Sequence, residues 1–568
     1  MAKRDLTVVI GGEAGQGLVT VGTLLSKALV RTGFFIVVTQ DYQSRIRGGH
    51  NSFAVRTSPD PIAAPGESID LLVAMDKQSI AIHEPELAAG AMIIADEALG
   101  VTGERVIPVP YRSLGEKRYE NVVALGVLGV MLGLDRDLLE GALDDAFGKK
   151  DPAVSEQNRR VLAAAFDWTD RQRIDFPATP RPSEPGHRLM MSGNDAVALG
   201  ALSAGVRFCS FYPMTPSTSI ALALAAWGQE AGVVVEQAED EIAAINMAIG
   251  ASFAGAPAVV PTSGGGFALM VEGVSLSGMT ETPVVIVMGQ RPGPATGLPT
   301  RTEQGELMFV IHAGHGEFPK AVFAPGSVEE CFYLTRKAFD IAARFQGPTF
   351  VLTDQFIADS YRAVEPFELG NVEEGTEGVS SGAPSMPYRR YEITEDGVSP
   401  RLLPGMSGHL VVADSDEHTE DGHITEDLGV RKRMVEKRLR KLEGIRKEVV
   451  GPEYSGDKKP ELLLVSWGSN RGAVLEATQI LRKEGRRVGC LLFSQVWPLV
   501  PDQFMGCLTA AQEVVGIEGN ATGQFAGLLR RETGFAVTKN VLRYDGLPMT
   551  PRYILDRIGR DLLRGMIW

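Results

Sequence analysis

An α/β fold built from several domains is what this sequence predicts, and two observations carry the prediction. Short apolar runs alternate with amphipathic or Ala-rich stretches in three separate zones, the pattern of strands covered by helices. At 568 residues the chain is also too long for one hydrophobic core, and its 64 glycines suit the tight strand–helix turns of open sheets.

The first zone, residues 1–180, opens with the apolar run Leu6–Ile10, a Gly-rich turn, an amphipathic helix Leu18–Thr32 and a strand Phe34–Thr39. Strand-like runs follow at Leu71–Met75 and Ala91–Ala95, with an Ala/Leu-rich helix near Val122–Leu134, so a parallel sheet is expected. Prolines 177, 180, 182 and 185 then mark a linker. The second zone, 190–365, predicts strands at Phe208–Tyr212, Val233–Glu236, Ala258–Pro261, Pro283–Met288 and Thr349–Leu352. Residues 366–458 are acidic and Gly/Pro/Ser-rich and end in a charged run. Within that run Val430, Met434, Leu442 and Ile445 are spaced for a surface helix. The last zone, 459–568, returns to α/β with runs at Glu461–Val465, Val488–Phe493 and Glu513–Glu518.

A net charge of −15 argues against a nucleic-acid partner, which needs a Lys/Arg surplus. The four cysteines, Cys209, Cys331, Cys490 and Cys507, form no C-x-x-C pair, so this chain is not expected to hold a disulfide framework or an iron–sulfur cluster by itself. Lys3-Arg4-Asp5 runs straight into Leu6–Ile10 without a leader pattern, and no apolar run is long enough for a membrane span. The cytoplasm is the expected compartment.

Open sheets bind ligands at the carboxyl ends of their strands, and the motifs fall there. Gly11-Gly12-Glu13-Ala14-Gly15-Gln16-Gly17 lies between a strand and a helix. It suits an anion at a helix N-terminus, or simply a tight turn; it is neither a dinucleotide fingerprint nor a P-loop. Ser44–Asn51 clusters Arg45, Arg47 and His50 in a Gly-containing loop, fit for the phosphates of a nucleotide-bearing acyl acceptor or for a structural contact. Tyr212-Pro213-Met214-Thr215-Pro216-Ser217 is a proline-stiffened turn offering either a helix cap or a fixed hydroxyl for a substrate. The carboxylates from Glu236 to Glu241 precede a small-residue helix; its dipole would favour two of them, and Glu241 is the one placed to face a cofactor. Thr262-Ser263-Gly264-Gly265-Gly266 repeats the strand–glycine–helix pattern. Arg291 follows an apolar strand in a Pro-rich loop running to Gln304, suited to holding a carboxylate or to a surface turn, with Arg301 ten residues on. Asp414–Glu426 fails the EF-hand spacing and reads as a solvated acidic loop.

Taken in order, these motifs resemble the alpha subunit of the 2-oxoacid:ferredoxin oxidoreductases. Tyr212–Ser217 is similar to that family's YPITPS signature, Glu239–Ala244 to its ExEDEIAA-type segment, and Arg291–Gln304 to its QRxGPSTGxPTxxEQ loop. Residues 1–180 resemble the family's gamma unit, fused upstream, and Asp396–Arg401 and Glu417–Glu426 resemble its linker. Met214 replaces the usual Ile, Gly265 a Pro and Ala295 a Ser.

The resemblance implies a gamma-type α/β domain, a thiamine-diphosphate pyrimidine-binding fold and a transketolase-C-terminal-like domain. It implies CoA-dependent oxidative decarboxylation of a 2-oxoacid, or the reverse reductive carboxylation. The cofactor would be shared with a beta subunit, in an αβ or α2β2 assembly. That partner would bring magnesium, the diphosphate motif and the iron–sulfur cluster that passes electrons to ferredoxin; no GDG-x-N-type motif occurs here. By the same resemblance Glu241 activates thiamine diphosphate, and Tyr212, Pro213, Ser263, Gly264 and Gly265 line it. Thr215 and Arg291, or Arg301, hold the 2-oxoacid. Gly12, Gly15, Gly17, Arg45 and Arg47 are candidates for CoA. The fused order and the Gly297–Gln304 loop favour 2-oxoglutarate, with pyruvate, branched-chain 2-oxoacids and indolepyruvate as alternatives. A non-catalytic assembly protein is the contrasting class; a thiamine enzyme without ferredoxin would need the missing diphosphate motif.

Overall fold

A computed structural model of the chain describes residues 5–43, 48–147, 152–177, 179–182, 187–368, 387–405 and 408–564. It divides into two units, Met1–Ser192 with Asp359–Phe367, and Gly193–Ala358 with Glu368–Trp568.

The first unit is built on an eight-stranded sheet. Its order is Val106–Val109, Leu87–Asp96, Ile69–Ala74, Leu6–Glu13, His50–Ser58, Phe35–Asp41, Arg362–Val364 and Leu189–Met191. The first four run parallel, as expected. His50–Ser58 does not: it enters antiparallel to both Leu6–Glu13 and Phe35–Asp41, so the sheet is mixed. His50 and Asn51 thus begin a strand rather than sit in a loop, while Arg45 and Arg47 lie outside the described residues. The strand is hard to recognise in sequence because only its Phe53, Val55 and C-terminal Thr57-Ser58 turn inward, leaving a weak alternation. The helix Leu18–Thr32 forms where expected. Gly17 (φ 79°) starts it and Gly33 (φ 101°) ends it, both left-handed, and the Gly33 N–H closes onto Leu29 and Val30 carbonyls. Its buried stripe packs with Val122–Met131 and Leu162 onto Val8, Ile10 and Val38.

The second unit holds two sheets. The larger has the order Gln495–Trp497, Ala321–Phe323, Pro348–Asp354, Val284–Gln290, Ala258–Ser263, Phe208–Phe211 and Val234–Gln237. All are parallel except Gln495–Trp497, contributed by the C-terminal zone. The smaller has the order Glu453–Gly456, Val488–Phe493, Leu462–Trp467, Glu513–Glu518 and Lys539–Leu542. One apolar core runs through both sheets, from Ala244, Ile286 and Phe350 to Leu463, Trp467 and Phe525. Zones drawn separately in sequence therefore bury their apolar surface together.

The charged helix is present at Leu428–Lys447, but it is not the surface helix its spacing predicts. Met434, Lys437, Arg438, Lys441 and Ile445 are its buried residues. Lys437 and Lys441 share the stripe of Met434 and Ile445 because they follow at helical spacing. Both ammonium groups meet the carboxylate of Glu281, with Lys437 Nζ at 2.6 Å. Arg390, also buried, donates to the carbonyl of Glu281 (2.8 Å) and to Gln346 Oε1 (2.9 Å). Burial opposes ionisation of Glu281, but Lys437, Lys441 and Arg390 outweigh it and hold its carboxyl well below the usual range. The acidic stretch 414–426 is tied to the same helix: Glu417 accepts from Arg438 at 3.0 and 2.9 Å and from Arg431 at 2.6 Å. Among the described residues no group of three or more His, Cys, Asp or Glu side chains converges for a metal ion. Among them, too, no helix is long and apolar enough to cross a membrane.

Candidate active site

Parallel strands carry their functional groups to one edge because each ends in a turn leading to the next helix. In the larger sheet of the second unit, Phe208–Phe211 delivers Tyr212 to Thr215, Ala258–Ser263 delivers Gly264 to Gly266, and Val284–Gln290 delivers Arg291. The helix Glu241–Phe253 follows Val234–Gln237 at the same edge.

The run of carboxylates before that helix separates into two roles. Asp240 is the N-cap, its side chain accepting from the Ala243 N–H at 2.8 Å. Glu241 is turned inward and only 4% exposed. It lies over Gly266: a Cβ there would come within 2.6 Å of Glu241 Oε1 and 2.5 Å of Thr262 Oγ1. The glycine leaves room for that carboxyl beside the central strand. Ser263 Oγ, one residue before the glycines, is buried and finds no hydrogen-bond partner among the described residues.

Thr215 and Arg291 come together. Arg291 Nη1 donates to the Thr215 carbonyl at 2.7 Å, joining the ends of two strands. The Thr215–Pro216 peptide is cis. The Pro216 carbonyl accepts from Asn194 Nδ2 at 2.8 Å, so the proline turn is anchored from behind. Tyr212 and Pro213 are exposed at the same edge. Arg301 packs beside Gly546: its Cβ and Cγ lie 3.1 and 3.3 Å from where a Cβ on that glycine would stand. In the first unit, Gly12 is buried in its strand, and the Gln16 side chain accepts from the Glu13 N–H at 2.7 Å, so part of that turn is satisfied internally. Space is open over Gly15 (φ 96°).

Sequence reasoning missed the residues that fix the Arg291–Gln304 loop. Gln304, 1% exposed, donates to the Trp467 carbonyl (3.0 Å), and its Oε1 accepts from Asn470 (2.7 Å) and the Gly519 N–H (2.9 Å). Gln524 adds a second fastening, donating to the Gly305 carbonyl at 2.6 Å. The C-terminal sheet thus holds the loop from outside. Gln304→Ala would strand those three partners, and we expect a stability loss of about 2–4 kcal/mol. Urea unfolding, with hydrogen exchange across 291–306, would measure it; unchanged exchange there would contradict the role.

Glu306 was missed as well. Its N–H donates to Gln290 Oε1 (3.1 Å), and its carboxyl fills the space beside Gly264, where a Cβ would lie 2.6 Å from Oε1. Burial, then the neighbouring Glu303 and Asp354 charges, push its pKa up to about 8 despite Arg291. Asp354 itself is raised by burial to about 6, restrained by hydrogen bonds from Ser469, Ile357, Thr302 and Phe356.

Comparison with known proteins identifies the family. A family model described as pyruvate flavodoxin/ferredoxin oxidoreductase, thiamine diphosphate-binding, matches residues 199–437. A second, pyruvate ferredoxin/flavodoxin oxidoreductase, matches residues 7–168. The 2-oxoacid:ferredoxin oxidoreductase subunit alpha of Sulfolobus sp is 33% identical over 98% of this chain and 96% of its own length. The 2-oxoglutarate oxidoreductase subunit KorA of Mycobacterium tuberculosis is 29% identical over 98% and 91%. Among solved structures, the 2-oxoglutarate:ferredoxin oxidoreductase of Magnetococcus marinus, with 2-oxoglutarate, coenzyme A and succinyl-CoA bound, superposes with a TM-score of 0.92. It is 30% identical and covers 98% of this chain and 99% of that one. With sequence similarity and fold agreeing over nearly the full length, the chain belongs to the 2-oxoacid:ferredoxin oxidoreductase family and is an alpha subunit of such an enzyme.

Proposed function

We propose that this subunit binds thiamine diphosphate and 2-oxoglutarate and, with a beta subunit, catalyses CoA-dependent oxidative decarboxylation to succinyl-CoA or its reductive reverse. The observation that carries the reading is the meeting of Glu241, Gly266, Thr215 and Arg291 at one sheet edge. The residues fit the cofactor: a buried carboxyl over a glycine, and the unpartnered Ser263 Oγ, suit the edge of a flat heterocycle with donors and acceptors.

Thiamine diphosphate, when bound, supplies the nucleophilic carbon and the electron sink that decarboxylation needs. Glu241 holds and moves the proton at the aminopyrimidine nitrogen, helped by its burial away from competing water. Arg291 binds the substrate's 1-carboxylate, and its bond to the Thr215 carbonyl fixes it against the Pro216 turn. The Thr215 hydroxyl orients the keto oxygen. Gly264 and Gly265 let the ligand approach the backbone, with Tyr212 and Pro213 closing the edge. The partner's cluster would take the two electrons released with carbon dioxide and hand them to ferredoxin, and CoA would accept the acyl group.

The beta subunit would supply magnesium, the diphosphate contacts and the cluster. Tyr212, Ile242 and Leu298, exposed by 40%, 51% and 52% near the strand ends, suit coverage by such a partner. The 2-oxoglutarate choice is supported by the names of KorA and of the Magnetococcus enzyme. Gly12, Gly15 and Gly17 are the described residues proposed for CoA, with Arg45 and Arg47. Four free thiols fit the reducing cytoplasm.

The test is anaerobic ferredoxin or dye reduction by the subunit co-expressed with its cluster-bearing partner, comparing 2-oxoglutarate, pyruvate and branched-chain acids. Arg291→Ala should raise KM for the acid by about 100-fold. An intact complex containing thiamine diphosphate but inactive with every acid would end the catalytic reading.

A further inference from the structure

Glu306 lies within electrostatic reach of two other acids, Glu303 and Asp354, and of one cation, Arg291, at the edge of the proposed site. Glu306 caps the short helix Leu307–His312, its N–H tied to Gln290 at the end of the strand that delivers Arg291; Glu303 lies in the loop before it and Asp354 at the end of the strand Pro348–Asp354. The helix Gly264–Met279 also packs against Glu306, presenting Gly264 at its N-terminus. Asp354 is served by hydrogen bonds from Ser469, Thr302 and two backbone N–H groups, so it ionises first. Glu306 Oε2, by contrast, is buried and finds no hydrogen-bond partner among the described residues. Two carboxylates this close to a third resist its ionisation, whereas Arg291 and the helix dipole favour it.

We infer that Glu306 is a positioning residue for the 2-oxoacid: protonated, it leaves the Arg291 charge to the incoming carboxylate; ionised, it claims that charge for itself. This rests on the proposed function, since Arg291 must be the carboxylate anchor. The raised pKa of Glu306, about 8, sets where the change falls. Below it the acid is neutral and the substrate meets an uncompensated cation. Above it the substrate must force a proton back onto Glu306, and affinity declines by about tenfold per pH unit. Neither Glu303 nor Asp354 can substitute, because Glu306 is the acid whose charge acts on Arg291.

The experiment is calorimetric titration of 2-oxoglutarate into the thiamine-loaded complex from pH 6.5 to 9.5, in buffers of different ionisation enthalpy. Wild type should take up close to one proton on binding at pH 9 and almost none at pH 7, with Kd turning upward near pH 8. Glu306→Gln should abolish both the uptake and the turn. Glu303→Gln, which removes a neighbouring charge, should move the turn to lower pH. Substrate binding with a flat Kd and no proton uptake in wild type would overturn the inference alone, as would an unchanged turn in either variant. Failure of wild type to bind any 2-oxoacid would remove the proposed function and this inference together.

Discussion

Glu241→Gln should lower CoA-dependent 2-oxoacid oxidation by the assembled enzyme by about 100- to 10,000-fold, the usual range for a lost general acid–base group. The substitution keeps the volume and the hydrogen-bonding reach of the side chain but can no longer exchange a proton at neutral pH. Because Glu241 is buried over Gly266, water has little access to take over the role. Thermal unfolding should stay within a few degrees of wild type, since the helix cap belongs to Asp240. The control is Asp240→Ala, which should behave in the opposite way, losing about 1 kcal/mol of stability while retaining turnover. Equal kcat in wild type and Glu241→Gln would remove Glu241 from the chemistry.

The second large effect concerns stability. Glu281→Gln leaves Lys437, Lys441 and Arg390 buried around a neutral side chain, and should cost about 3–5 kcal/mol. The pH dependence follows from the same charges. Glu281 has a folded-state pKa below its unfolded value, so its contribution is complete above the ordinary carboxylate range and is lost as pH falls through and below it. Wild type should therefore lose stability on acidification below about pH 4.5 more steeply than Glu281→Gln, whose curve should be flatter. Parallel acid-unfolding curves for the two proteins would contradict this account.

The division between what the sequence revealed and what it hid follows from range. Tyr212–Ser217 and Arg291 were legible because each sits directly after an apolar strand, in a turn that prolines announce, and Glu241 because it ends a run of carboxylates at the start of a small-residue helix. That Arg291 reaches the Thr215 carbonyl while Arg301 packs near Gly546 depends on which loops neighbour each other in space. Glu306 looks like an ordinary acid at the start of a short helix until Gly264, the first residue of the helix Gly264–Met279, makes room for it. Lys437 and Lys441 read as solvated charge because their counterion is over 150 residues away, at Glu281. The antiparallel strand His50–Ser58 was obscured by its polar face. Local periodicity reports which side of an element is buried only when the buried side is apolar.

The strand Arg362–Val364 has a consequence for how the gene could be divided. It lies between Phe35–Asp41 and Leu189–Met191 in the first unit's sheet, although the chain spends residues 193–358 in the second unit before supplying it. A fragment ending at Ser192 would encode an incomplete sheet, with Leu189–Met191 lacking its hydrogen-bonding neighbour and Phe35–Asp41 left as a bare edge. Splitting this polypeptide into two separately translated proteins after Ser192 would thus require a replacement for three residues encoded far downstream. Fusion here is written into the hydrogen bonding of the sheet as well as into the reading frame.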